Sequence, residues 1–229
     1  MATSWFAPID NYCERTDGSF WSEPLNAVSN GAFILAALYA FILWRRAGAR
    51  DWAALWLIAV TAIVGTGSFL FHTFANRWSL LADVLPIAVF IYSYFLVAMR
   101  RYLCLGWIPA AIATGLFIGF NTVFVRLWLG LFPGLTLNGS IGYIPATLAL
   151  LVVGVLCLRV DARKASGALL TAAGLFGVSL FFRSIDSAVC SALPVGTHYL
   201  WHVLNAMVLL TLMRAAIASP AEDRAQAHP

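Results

Sequence analysis

Charge is scarce in this chain. Of its 229 residues only 10% are Asp, Glu, Lys or Arg while 62% are apolar, whereas soluble domains run to about a quarter charged and about half apolar. An ordinary soluble domain is excluded. There is no Pro-, Ser- or Gly-rich tract and the mean hydropathy is +0.85, which excludes a disordered, fibrous or linker protein. The sequence also lacks a residue-level repeat, a connection long enough to house a second domain, and any CxxC or paired Cys/His spacing for a cysteine-ligated zinc site. The opening MATSWFAPIDNYCE has neither a basic stretch nor an apolar one, so it does not read as a cleavable signal. No basic patch interleaved with aromatics is present, and nucleic acid is not an expected partner. Nothing in the residues points to a protein partner.

What is there is a set of long apolar runs. A membrane crossing needs roughly 20 mostly apolar residues. Seven runs qualify: Ala27 to Trp44, Trp52 to Phe71, Leu80 to Met99, Leu105 to Phe124, Ile141 to Leu158, Ala168 to Phe182 and Leu200 to Ile217. The expected fold is therefore all-α, a bundle of seven transmembrane helices. Residues 1–26 are expected to form an extramembrane N-terminal segment, 27–217 the helical domain and 218–229 a polar tail that carries His228, to which no role is assigned.

The few basic residues set an expected orientation. Loops one, three and five and the tail hold Arg45, Arg46, Arg50, Arg100, Arg101, Arg159, Arg163, Lys164, Arg214 and Arg224, against only Arg15, Arg77, Arg126 and Arg183 elsewhere. Because Lys and Arg flanking short loops stay in the cytoplasm, the N-terminus is expected outside, in the periplasm, lumen or exterior, and the C-terminus in the cytoplasm. The net charge of +4 is then a topology signal. Cys104 and Cys157 fall at cytoplasmic ends, where thiols stay reduced. Cys13 and Cys190 fall on the outer side, open either to a disulfide or to a reading as two buried thiols.

Polar groups inside hydrocarbon are costly and usually functional, and here they share one depth. The second run ends GTGSFLFHTF, placing Ser68 and His72 one turn apart; the third opens SLLADVLP with Asp83; the seventh opens GTHYLWHVLN with His198 and His202 four apart. Three neutral imidazoles form a zinc ligand set that leaves a fourth position for water. Such an ion acidifies its water toward a pKa of about 7, the chemistry of a hydrolase. Asp83 suits proton transfer or orientation of a ligand histidine, with a helix-capping role as the alternative. Ser68 suits an oxyanion donor, or else a small-residue packing patch with GTGS. The HxxxH pair has its own bland reading, an interhelical hydrogen-bonding pair. Arg183 and Asp186, three apart, read as an interfacial ion pair, and Asn138-Gly139-Ser140 is a sequon. A site just below the outer interface is expected to take a membrane lipid as substrate. A transporter using His and Asp as a proton relay is the less favoured class, since broken helices and paired repeats are absent.

The ordered set NYCER…EPLNAVSN, GTGSFLFHTF, ADVLP and GTHYLWH, running from about Asp10 to Asn205, resembles the alkaline ceramidase family, within the superfamily of seven-span hydrolases that also includes the adiponectin receptors. The resemblance implies a zinc-dependent amidase cleaving the N-acyl bond of ceramide, or of a related N-acyl lipid, to an amine-bearing lipid and a fatty acid. It assigns His72, His198 and His202 to zinc, Asp83 to acid/base work, Ser68 to the oxyanion side, and Cys13 with Cys190 to a disulfide. The receptor relatives imply an alternative, a lipid sensor with a latent hydrolase site. Eukaryotic members also bind calcium through the N-terminal segment. Glu14 and Glu23 match that pattern, with Asp10, Asn11 and Thr16 as further positions; Asn11 stands where the family has an acid, and Thr16 where it has an amide or carboxylate. The other reading of these acids is a solvated segment paired with Arg15.

Overall fold

A computed structural model of the chain describes residues 4–219; His228 lies outside the described residues. Eight α-helices follow one another: α1 (Pro24–Ser29), α2 (Gly31–Arg46), α3 (Trp52–Phe74), α4 (Arg77–Arg101), α5 (Trp107–Leu131), α6 (Ile144–Arg159), α7 (Arg163–Val189) and α8 (His198–Ile217), with a 3-10 turn at Leu137–Tyr143 before α6. Counting α1 with α2 and the 3-10 turn with α6, seven helical segments are long and apolar enough to cross a membrane. Burial is inverted relative to a soluble protein. The three histidines are each 1% exposed, whereas Leu35, Leu116 and Phe181 are at least 58% exposed, the pattern of a multi-pass membrane protein whose apolar surface faces lipid.

Several helices outrun the apolar runs that announce them. The sixth expected run stops at Phe182, yet α7 continues through Arg183 and Asp186 to Val189, because both polar side chains find partners inside the bundle. The first crossing begins earlier, at Pro24, which occupies the first helical position where its missing N–H costs nothing. It is interrupted at Asn30, where the Asn26 carbonyl is taken by side chains, Ser29 Oγ at 2.9 Å and Asn30 Nδ2 at 2.8 Å. Such back-bonding competes with the backbone ladder and bends helices.

Helix approach in lipid relies on small residues rather than on a hydrophobic gain between helices. Ala36, Ala37 and Ala40 form the middle of the buried face of α2, between Phe33 and Trp44. A close crossing joins α3 to α4. Pro86 lies inside α4, and by lacking an N–H it leaves the Ala82 carbonyl four residues earlier without its ladder partner. Gly67 packs onto that carbonyl so tightly that a Cβ would stand 1.9 Å from it. The GTGS patch therefore does pack helices, and it sets Ser68 beside the helix that carries Asp83.

The N-terminal segment lies across the same end of the bundle. Ile9 N donates to Ala75 O at 2.8 Å, Pro8 bridges Asn76, and a disulfide joins Cys13 to Cys190. Asn76 in turn caps α4 through a reciprocal box with Ser79. Asp83 therefore is not the cap of its helix.

Candidate functional site

His72 sits near the C-terminal end of α3, and His198 and His202 occupy the first turns of α8. The start of α8 is built by a residue outside it. Asp186 of α7 accepts from Thr197 N at 2.6 Å and His198 N at 2.9 Å, and from Cys13 N at 3.2 Å. Its carboxylate thus supplies the cap that Thr197 does not provide and meets the positive end of the helix. Gly196 makes this turn feasible: φ is +65°, and a Cβ would lie 2.1 Å from Asp186 Oδ1. The expected Arg183–Asp186 ion pair does not form. Asp186 is committed to backbone amides, and the Arg183 guanidinium turns toward Tyr12, donating to its hydroxyl at 3.2 Å.

The three imidazoles converge, with one ligand nitrogen from each lying within 4.8 Å of the others. Among the described residues this is the only group of three His, Cys, Asp or Glu side chains placed to hold a metal ion. Their tautomers follow from their partners. Ser29 spends its hydroxyl hydrogen on Asn26 O, so the 2.8 Å contact between Ser29 Oγ and His202 Nδ1 needs the imidazole as donor. His72 Nδ1 meets Glu23 Oε2 at 2.6 Å and donates likewise. Both rings then offer an unprotonated Nε2 toward the centre. His72 Nε2 and His198 Nδ1 are buried with no hydrogen-bond partner, a state that costs about 1–3 kcal/mol per group if left unfilled. A divalent ion favouring nitrogen ligands fits these nitrogens, and a carboxylate-histidine pair such as Glu23–His72 is the usual outer support of a metal ligand. Tyr12 stacks on His198 with ring centroids 3.8 Å apart. Burial pushes the Tyr12 phenol up to about 12, so it stays neutral.

Asp83 faces this group without joining it. It is 8% exposed, and its Oδ1 is buried without a hydrogen-bond partner. The Ser68 hydroxyl stands beside the carboxylate, and Arg183 is near enough to act on it electrostatically. The structure therefore brings His72, His198, His202, Asp83 and Ser68 to one place.

The five acidic-segment positions behave differently. Both Glu14 oxygens accept backbone amides at the start of α1, from Leu25 at 2.7 Å and Asn26 at 2.8 Å. Glu23 is held between Arg15 Nε at 2.5 Å and His72. Burial alone would raise the Glu23 carboxyl, but the hydrogen bond from His72 and the Arg15 charge hold it below the usual carboxylate range. Asp10, Asn11 and Thr16 are exposed. Arg15 also donates to Asp17 O and His72 O at 3.1 Å each, so a guanidinium already fills the space a hard cation would take. This donor set does not fit calcium.

Four contributors were not visible as site residues in the sequence: Tyr12, Ser29, Asp186 and Arg183 as a neighbour of Asp83. Glu23 was visible only as a carboxylate, because nothing local links it to a histidine 49 positions away. The sequon asparagine is engaged internally, its Nδ2 donating to Arg183 O at 3.1 Å.

An apolar cavity leads away from the histidines. Ser68, His202, Tyr143 and Trp201 line it near the site, and Phe90 and Tyr94 line it deeper in the bundle. Tyr94 closes with Tyr102 through a hydroxyl contact of 3.1 Å. Along α4 the lining runs from Ile87 to Ala98, about 16 Å of helix. Compared with protein-family models, residues 9–228 match the one described as Ceramidase. No curated protein matches the chain.

Proposed function

The chain belongs to the ceramidase family, and on that premise we propose that it is a zinc-dependent amidase embedded in the membrane. Its substrate is ceramide or a related N-acyl lipid, and its products are an amine-bearing lipid and a free fatty acid. The observation that carries the reading is the buried trio His72, His198 and His202 with two unpartnered ring nitrogens, near the unpartnered Asp83 carboxylate oxygen and joined through His202 and Ser68 to an apolar cavity.

Zinc held by the three histidines supplies a Lewis acid that polarises a carbonyl and makes water more acidic. The chain's own residues do the rest. The cavity takes the acyl chain and sets the amide carbonyl at the histidines, excluding bulk water. Asp83 Oδ1 accepts a proton from the attacking water and passes it to the amide nitrogen as the C–N bond breaks. The water oxygen ends on the acyl carbon to give the free acid, and the protonated nitrogen leaves with the amine-bearing lipid. Ser68 rests beside Asp83 in the free protein and donates to the acyl oxygen as negative charge develops there. Glu23 fixes the His72 ring, and Ser29 the His202 ring.

The N-terminal segment through residue 26 covers the site and residues 27–217 form the hydrolase, with residues 218–229 following as the tail. The excess of basic residues at the far end of the bundle supports a site toward the periplasmic or luminal face and a cytoplasmic C-terminus.

The test is fatty-acid release from a panel of N-acyl lipids by protein purified in detergent, with metal content measured alongside. Wild type should carry about one zinc per chain and lose activity to a zinc chelator, with recovery on adding zinc. His72→Ala and His202→Ala should abolish both metal and release. Equal release by wild type and both variants would sink the proposal.

A further inference from the structure

An arginine within a membrane-spanning helix is expensive and by default functional, yet Arg183 has no role in the chemistry set out above. Among the described residues no carboxylate comes within ion-pair distance of it. Asp186, its sequence neighbour, is used up on backbone amides. The guanidinium rests instead on aromatic faces, 5.0 Å from the Trp201 ring centroid, 5.6 Å from Tyr143 and 5.9 Å from Tyr12. Ring faces attract a cation without neutralising it. One donor is used on the Tyr12 hydroxyl, and Nε is buried with no partner. The positive charge is therefore held in place without a carboxylate in contact with it. A guanidinium kept only to balance Asp83 would touch it; this one influences Asp83 electrostatically without an ion pair.

Its position says what the charge is for. Trp201 and Tyr143 also line the apolar cavity, and Tyr12 stacks on the ligand histidine His198. With the acyl chain in the cavity and its carbonyl at the histidines, the amine half of the substrate must leave toward the outer end, where Arg183 lies. Resting on the amidase reading above, we propose that Arg183 binds an anionic oxygen group carried close to the amide nitrogen, so that the preferred substrates are N-acyl lipids with an acidic head, a carboxylate or a phosphate, rather than neutral ceramide.

The test compares N-palmitoyl-serine with N-palmitoyl-serinol, which differ only in carboxylate against hydroxymethyl, and N-palmitoyl-ethanolamine phosphate with N-palmitoyl-ethanolamine. Wild type should favour at least one acidic member by about tenfold or more in kcat/KM, and which pair responds tells carboxylate from phosphate. Arg183→Gln should erase that preference, bringing the acidic-to-neutral ratio of kcat/KM to about one whatever happens to the absolute rates, and Arg183→Lys should restore part of it. Affinities of the matching uncleavable ether analogues, measured by titration calorimetry on wild type and Arg183→Gln, read the same preference without turnover. If calorimetry shows the acidic preference but no lipid is cleaved, the amidase reading fails and the anion site stands. Neutral lipids cleaved as well as acidic ones by wild type, or an acidic-to-neutral ratio that Arg183→Gln leaves unchanged, would overturn the proposal and leave Arg183 a structural or oxyanion-stabilising role.

Discussion

Each end of the bundle is organised around a buried guanidinium, and the two ends differ in what is left unpaired. At the end opposite the histidines, Arg101 grips both oxygens of Asp51 at 2.6 Å and donates to Ala216 O at 2.9 Å. Asp51 also caps α3 through Ala54 N at 3.0 Å. Three helix ends are fastened there, and every charge at that junction has its partner. At the histidine end Arg15 performs the same service for Glu23 and the end of α3. Around it, however, His72 Nε2, His198 Nδ1, Asp83 Oδ1 and Arg183 Nε are buried without partners. Buried polar atoms are ordinarily satisfied, so a concentration of unsatisfied ones at one end marks where the protein waits for something else to bind. The Arg101–Asp51 junction closes on itself, whereas the histidine end leaves charged and ligating groups open.

Substitutions should separate the two ends. The largest effect after loss of a ligand histidine is expected from Asp83→Asn, which keeps the shape but removes the proton acceptor. Release should fall by roughly 10²–10⁴-fold with zinc content unchanged, as turnover and metal analysis on the same sample will show. A fall matched by loss of metal would instead make Asp83 a support for the ligands.

Glu23→Gln comes next. It weakens the grip on His72, and zinc affinity, measured by competition with a chromogenic chelator, should drop about 10–100-fold. Because Arg15 already supplies the positive charge beside Glu23, adding calcium to wild type should change neither rate nor thermal midpoint. Stimulation by calcium would show that Arg15 moves aside for it.

The smallest effect on turnover belongs to the opposite end. Burial alone would lift the Asp51 carboxyl, but the hydrogen bonds from Arg101 and the Ala54 amide hold it below the usual carboxylate range. A depressed carboxyl contributes stability above its unfolded value, near 4, and that contribution disappears as the pH falls through the folded value. Asp51→Asn should therefore lower the thermal midpoint at neutral pH, by roughly 2–4 °C per kcal/mol lost for a chain of this size. It should also flatten the decline of the midpoint on acidification and leave kcat/KM of the folded enzyme unchanged. A variant as stable as wild type at neutral pH would mean that Arg101 and Asp51 are not a fastening.

Much of the site was legible in one dimension because helices repeat. His198 and His202 share a face by spacing alone, Ser68 and His72 likewise, and the apolar runs placed all four at one depth with Asp83. Contacts between distant segments were not legible in that way. Arg183 and Asp186, one turn apart on the same helix, read as an ion pair, yet the start of α8 offered Asp186 backbone amides and three aromatic rings took Arg183. Glu14 and Glu23 read as cation ligands, yet one became a helix cap and the other the brace of His72.

By itself the sequence determined seven apolar helices, their expected direction across the membrane, and the residue types that gather at one end, since these depend on composition and on the helical period. Only the tertiary structure decided which polar groups satisfy one another and which stay open. That outcome depends on angstrom-scale approach between segments far apart in the chain, such as Gly67 closing on Ala82 or Asp186 reaching the first amides of α8, and no local pattern records it.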